Sequence, residues 1–243
     1  MKKAAAILLV LVAVLAAAAF WAYESIDFLV KVALEHYGPQ VAGVEVKVGE
    51  VHLSPADGRG NLGHVEIGNP PGFSAPDALK VQRIAVSVDP ATLRAPLVHI
   101  LEISIEQPAI TYERGARQTN LEAIRSNIAA YVKEADAASG GGDKTPSGKD
   151  VRHRFRIDAV AIRAGRVTMT SAGLKGGGIT FDLPEVVVRD IGKRGDGATA
   201  SQAAGVVADA LVSAIAQKVL TNFELLRRGG VEGAMDALKG LLH

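Results

Sequence analysis

Two stretches of this chain, Val98 to Glu113 and Phe155 to Thr170, match each other at an offset of 57 residues. Ile100 falls on Ile157, Ile105 on Ile162, Pro108 on Gly165, Ile110 on Val167 and Thr111 on Thr168. A weaker third copy runs from Val46 to Leu53, with Gly49 at the Pro/Gly position. In each copy the apolar residues flanking that position are five apart: Val46 and Val51, Ile105 and Ile110, Ile162 and Val167. Side chains alternate between the two faces of a strand, so an odd spacing sends the pair to opposite faces. A corner or bulge at the Gly or Pro restores a single face. The repeat therefore describes a strand that bends, and bent strands side by side make a sheet that curls.

The surrounding sequence supplies further strands. Val44, Val46 and Val48 alternate with Glu45 and Lys47; Val65 and Ile67 alternate with His64, Glu66 and Gly68; Ile84, Val86 and Val88 follow. Leu101, Ile103 and Ile105 alternate with Glu102, Ser104 and Glu106, which predicts that these three face inward together. Turn-forming clusters separate the strands at Ser54–Gly58, Asn69–Gly72 and Asp89-Pro90. Strands resume at Phe155 and run to about Val188, with a turn around Gly176-Gly177-Gly178.

Helical spacing marks three segments. From Glu24 to Tyr37 the residues Glu24, Asp27, Lys31 and Glu35 make one polar stripe, and Gly38-Pro39 is expected to stop the helix. Asn120 to Val132 carries Leu121, Ile124, Ile128 and Tyr131 on one face. Thr199 to about Leu226 carries Val207, Leu211, Ile215, Val219 and Phe223 at steps of four. The chain thus divides into an apolar segment at 1–23, a juxtamembrane helix at 24–40 and a β-rich part with a short helix at 41–134. A Gly/Ser/Asp/Lys linker at 135–150, expected to be flexible, leads to a second β part at 151–192. A helical part at 198–243 ends in an amphipathic tail with Met235, Leu238, Leu241 and Leu242.

Lys2 and Lys3 precede Ala4 to Tyr23, a run without a charged residue. At 1.5 Å per residue such a run spans about 30 Å, the thickness of a bilayer core. Lysines before it orient the N-terminus to the cytoplasm, and Trp21 and Tyr23 suit the interfacial belt. The competing reading is a signal peptide cleaved at the small-x-small site Ala17–Ala19.

Without Lys2 and Lys3 the chain has 25 basic against 26 acidic residues, which argues against nucleic acid as a partner. The absence of cysteine excludes disulfides, thiolate metal sites, cysteine catalysis and cysteine-linked lipidation. Gly58-Arg-Gly60-Asn-Leu-Gly63 fits the letters of a dinucleotide fingerprint, but a period-two strand follows it where the motif needs a helix. None of His36, His52, His64, His99, His153 and His243 has the spacing of a metal site, and no Gly-x-Ser-x-Gly nominates a nucleophile. No catalytic residue, cofactor or metal is expected. Arg152, Arg154 and Arg156 share a strand face, read either as a headgroup patch or as a solvated face that discourages edge pairing.

Several of these stretches resemble small AsmA-like proteins of Gram-negative bacteria. They are the apolar anchor, Glu35-His-Tyr-Gly38-Pro39, Val44 to Leu53, Asp57-Gly-Arg-Gly60, the specific Ile67-Gly-Asn-Pro-Pro-Gly-Phe73 and the later Asn120-Leu121. The likeness covers roughly residues 1 to 130. It implies a single-pass inner-membrane protein with its body in the periplasm, and an α+β, β-rich fold. An N-terminal transmembrane helix would lead into a curved antiparallel sheet of AsmA/chorein type, with a middle helix and a long C-terminal amphipathic helix. In larger relatives the curled sheet encloses an apolar groove that carries phospholipid toward the outer membrane. The resemblance brings no catalytic residues with it. Val46, Ile103, Ile105, Val160 and Ile162, from the bending strands, are the candidates to line such a groove. Seven or eight strands would make a sheet of only ~35–40 Å, too short to cross a periplasm alone. The expected function is non-enzymatic binding or passing of phospholipid in outer-membrane lipid homeostasis. The alternative is a structural or adaptor protein for an envelope complex, its sheet closed by its own C-terminal helix. An open groove favours the first, and a groove filled by Val207 to Phe223 favours the second.

Overall fold

The computed structural model describes residues 26–140, 154–171 and 179–228. The apolar run at Ala4–Tyr23, Arg152, the Gly176–Gly178 turn and the tail with Met235 lie outside the described residues, as does linker segment 141–150. Within them the protein is α+β and strand-rich, a nine-stranded sheet curled into a half-barrel with three helices.

Helix α1 occupies residues 26–42. Strands β1 (Val46–Ser54), β2 (Arg59–Gly68), β3 (Asp77–Val88), β4 (Leu97–Glu106) and β5 (Ala109–Arg114) lead to helix α2 (Asn120–Gly140). Strands β6 (Arg154–Arg163), β7 (Arg166–Ser171), β8 (Ile179–Asp182) and β9 (Val186–Ile191) lead to helix α3 (Ala200–Arg228). The strands on either side of α2 belong to one sheet.

The nine strands form only six rows. One edge of β3 pairs with β2, while its other edge pairs with β4 through Arg83–Val88 and with β5 at Leu79 and Lys80. β4 and β5 are thus two halves of one bent ribbon. β6 and β7 form a second, and β9 and β8 lie beyond them. At about 4.8 Å per row the sheet is roughly 24 Å across, narrower than the alternation suggests, because each corner divides one ribbon into two strands.

The sheet is also not wholly antiparallel. β4 pairs with β6 and β5 with β7 in parallel, because the chain makes a crossover through α2 between them. The register is Ile100 to Ile157, Ile105 to Ile162, Ile110 to Val167 and Thr111 to Thr168. The 57-residue repeat and the pairing register are the same relation.

The corners fall where the repeat places them. Gln107, before Pro108, and Ala164, before Gly165, both have a φ of 51°, left-handed for non-glycine residues. A Cβ on Gly165 would press on Leu183 and Pro108 at 3.2 and 3.3 Å, so the second corner packs closely on the first. In the third copy β1 runs on through Gly49, and its neighbour bends instead: His64, facing Gly49, has a φ of 53°.

A second irregularity was not marked by Gly or Pro. Ser87 pairs with Glu102 but Val88 pairs with Ile100, so Leu101 is the extra residue of a bulge in β4. The bulge reverses parity. Ile100 joins Ile103 and Ile105 on the inner face and Leu101 is left 42% exposed, which corrects the inward reading of Leu101. β6 copies the pattern, with Ile157, Val160 and Ile162 inward and Asp158 in the place of Leu101.

Helix α1 continues through Gly38-Pro39, contrary to the stop expected there. Glycine before proline removes the Cβ clash that disfavours helix at that position. The actual stop is Gly43, with a φ of 69° and its N–H donated to Pro39 O at 2.9 Å. α2 runs eight residues past Val132, into the expected linker. α2 and α3 pack on each other and on the inner side of the sheet. Both begin with a capping box. Thr119 Oγ1 accepts from Glu122 N while Glu122 Oε2 accepts from Thr119 N. Thr199 and Gln202 exchange the same two bonds at α3.

Candidate functional site

The concave face of the sheet and the two helices over it do not close completely. A cavity of about 450 Å³ remains between them. Ile100, Ile103 and Ile105 of β4 and Ile157, Val160 and Ile162 of β6 line its floor, with Val81 and Ile84 of β3 and Val65 and Ile67 of β2. Leu121, Ile124 and Ile128 of α2 form one wall. Arg125 is the charged residue among the lining, and its Nε donates to Asp209 Oδ1, tying α2 to α3. Apolar pockets of roughly 300–1,000 Å³ are the size that takes small ligands.

The composition of α3 explains why space is left. Its first half presents Ala200, Ala203, Ala204, Val207 and Ala208 to the cavity; Ala203 and Val207 pack against Ile157 and Val160 of the floor, and the short side chains of Ala200, Ala204 and Ala208 beside them leave the space. Farther along, Ile215 and Val219 are buried against Ile110, Val167 and Leu183. The stripe from Val207 to Val219 therefore fills one end of the curl and roofs the other; the side chain of Phe223 lies outside the described residues. Ala200–Thr221 is long and apolar enough to cross a membrane by length and composition. In this fold its apolar stripe packs on the sheet and its outer face carries Asp209, Ser213 and Gln217.

Four of the five candidate groove residues, Ile103, Ile105, Val160 and Ile162, line the cavity together. Val46 does not. It sits half-buried on β1, opposite Ile67 and against Gly38 of α1, two rows from β3. Val65 and Ile67 of β2 take the place expected for it.

The stretches Asn69–Phe73 and Asn120-Leu121 meet in space beside the cavity. Glu113, 2% exposed, accepts from Ser74 N at 2.6 Å, Ala75 N at 2.9 Å and Asn69 Nδ2 at 3.4 Å. Asn120, 0% exposed, donates to Asn69 Oδ1 and Thr111 O, both at 2.8 Å, and accepts from Glu113 N at 2.9 Å. This polar knot locks the 69–76 loop onto the junction of β5 and α2, and Leu121, the next residue, reaches the cavity. Neither Glu113 nor the capping boxes were singled out from sequence, although Thr-x-x-Glu and Thr-x-x-Gln ahead of apolar runs carry that signal.

The convex face carries a network of charged side chains beside the exposed Leu101 and Val187. Arg163 bonds Glu102 at 3.2 Å, Ser104 at 2.9 Å and Glu185 at 3.0 Å. The Glu102 hydrogen bond, with Glu185 beside it, holds the guanidinium above its ordinary value. Arg156 faces Asp158 at 3.7 Å and Arg154 donates to Gly197 O at 3.3 Å. His99 bonds Asp158 at 2.8 Å. The Gly58–Gly63 motif lies in the β1–β2 turn and along β2, with no helix after it. Among the described residues no three His, Asp or Glu side chains gather as a metal site.

No protein-family model matches the chain, and no curated protein matches it.

Proposed function

We propose that this chain is a non-enzymatic, AsmA-like membrane protein that binds phospholipid through one acyl chain in the cavity under α3. The body would stand on the periplasmic side, held by the Ala4–Tyr23 helix, and would serve outer-membrane lipid homeostasis. The observation that carries this reading is the apolar space between the isoleucine floor and the alanine-rich half of α3. A helix selected only to close a core would place larger side chains there, as α3 itself does at Ile215 and Val219. With a sheet of roughly 24 Å, the protein would carry lipid partway and pass it to a partner. The adaptor reading rests on the filled end of the curl, at Ile215 and Val219.

Filling the cavity separates the two. The full chain, purified in mild detergent, is expected to carry phospholipid detectable by mass spectrometry, and a photo-crosslinker at Ile103 or Ile105 is expected to capture it. The double variant Ala204→Leu/Ala208→Leu is expected to lose that lipid and keep its melting temperature, since the new side chains occupy existing space. Absence of lipid and of crosslinks in the unmodified chain overturns the proposal and leaves the adaptor.

A further inference from the structure

Helix α1 is amphipathic the wrong way round for a helix packed on a sheet. Its charged side chains face the protein. Asp27 Oδ1 accepts from Leu53 N at 2.9 Å, Lys31 Nζ donates to Gly49 O at 2.9 Å and Glu35 Oε1 accepts from Val48 N at 3.0 Å. Residues at steps of four thus satisfy the outward backbone groups of β1, the bare edge of the sheet. The outer surface is largely apolar and uncovered: Phe28 is 66% exposed, Leu29 62%, Val32 45% and Tyr37 59%, with His36 and Gln40 the polar residues exposed among them. A stripe of this kind marks a surface meant for a membrane or a protein.

We infer that the outer face of α1 lies in the phospholipid interface of the membrane that the Ala4–Tyr23 run enters. The inference rests on that reading of the run, and not on the cavity holding lipid. Two observations select a lipid surface as the occupant. First, the uncharged run ends at Tyr23, five residues before Phe28, so the stripe begins where the bilayer ends. If α1 continued along the membrane normal, Tyr37 would stand about 21 Å beyond Tyr23 and the whole stripe would face water. A helix lying in the membrane plane buries it among headgroups and upper acyl carbons. Second, the outer face carries no acidic group that would repel an anionic surface, because Asp27 and Glu35 are both committed to β1. The helix is then a spacer with its charged face on the sheet edge and its apolar face in lipid, and it sets β1 parallel to the membrane.

The chain has no cysteine, so single-cysteine variants of the full chain accept one nitroxide each. In vesicles of phosphatidylcholine and phosphatidylglycerol, labels at Leu29→Cys and Val32→Cys are expected to collide more with dissolved oxygen than with a water-soluble nickel chelate. A label at Val187→Cys, exposed on the far edge strand β9, is expected to show the reverse. Nickel dominating at Leu29 and Val32 overturns the inference. So does spin–spin broadening at those sites, which would make a second copy the occupant, and so does failure of the chain to remain with the vesicles.

Discussion

Glu113 shows how a single residue fixes the geometry beside the cavity. Its carboxyl is shut away from solvent, and two backbone N–H groups of the 69–76 loop have it as their acceptor. Removing it strands those donors in a buried place, at a cost of about 1–3 kcal/mol for each unsatisfied group. Glu113→Ala is therefore expected to destabilise the fold by about 3 kcal/mol or more, read as a shift of the urea midpoint. Glu113→Gln keeps one acceptor oxygen and should fall between it and the unmodified chain. Asn120→Ala is expected to behave like Glu113→Ala, because the same knot loses its other buried member. The residues behind the AsmA-like resemblance, Asn69 and Asn120, thus have a packing role that is independent of any lipid.

At the level of elements, the corners carry the strain. Gln107 and Ala164 are held left-handed by the ribbons on either side of them. That conformation costs a non-glycine residue roughly 1–2 kcal/mol, and glycine about 0.5–1 kcal/mol of added chain entropy. Gln107→Gly should be neutral or stabilising by up to ~1 kcal/mol, while Gln107→Val should lower the melting temperature, both measured by thermal unfolding. Much of this architecture was legible in the sequence. An odd spacing across Pro108 and Gly165 leaves few ways for Ile105 and Ile110 to share a face, and the offset of 57 is the register itself. The bulge at Leu101 was not legible, since it has no Gly or Pro to mark it and strict alternation through Leu101, Ile103 and Ile105 fits a flat strand equally well. The passage of α1 through Gly38-Pro39 was hidden for a related reason. The pair usually ends a helix, and only the fit of Val46 against Gly38 gives it another use. The parallel pairing leaves no local trace, because it depends on where α2 carries the chain.

For the whole molecule, the decisive quantity is how much of the curl the helices leave empty. Four of the five candidate residues line the cavity, and Val46 stands away from it because its row lies beyond β2, where α1 covers the edge. What sequence could not reveal was the roof, because alanines at 203, 204 and 208 read equally well as good helix formers or as room for a ligand. The Arg125–Asp209 pair holding the roof to α2 is largely exposed, and pairs of that kind contribute about 0–1 kcal/mol. Asp209→Asn should leave the melting temperature nearly unchanged while speeding exchange of bound lipid, measured as transfer of a fluorescent phospholipid to vesicles.

The parallel join of β4 to β6 and β5 to β7 also dictates an order of assembly. The rows from β1 to β5 are connected through neighbouring hairpins and leave the ribosome first. Their continuation is synthesised only after α2 and the residues beyond it, so β4 and β5 wait with an unpaired, isoleucine-rich margin. A chain interrupted at Gly140 should expose that margin and aggregate or bind chaperone, whereas one that has completed Arg228, with β8, β9 and α3 in place, should not, as release from arrested ribosomes would show. The duplication that makes the sheet curl therefore also sets the interval in which a half-made copy is most vulnerable.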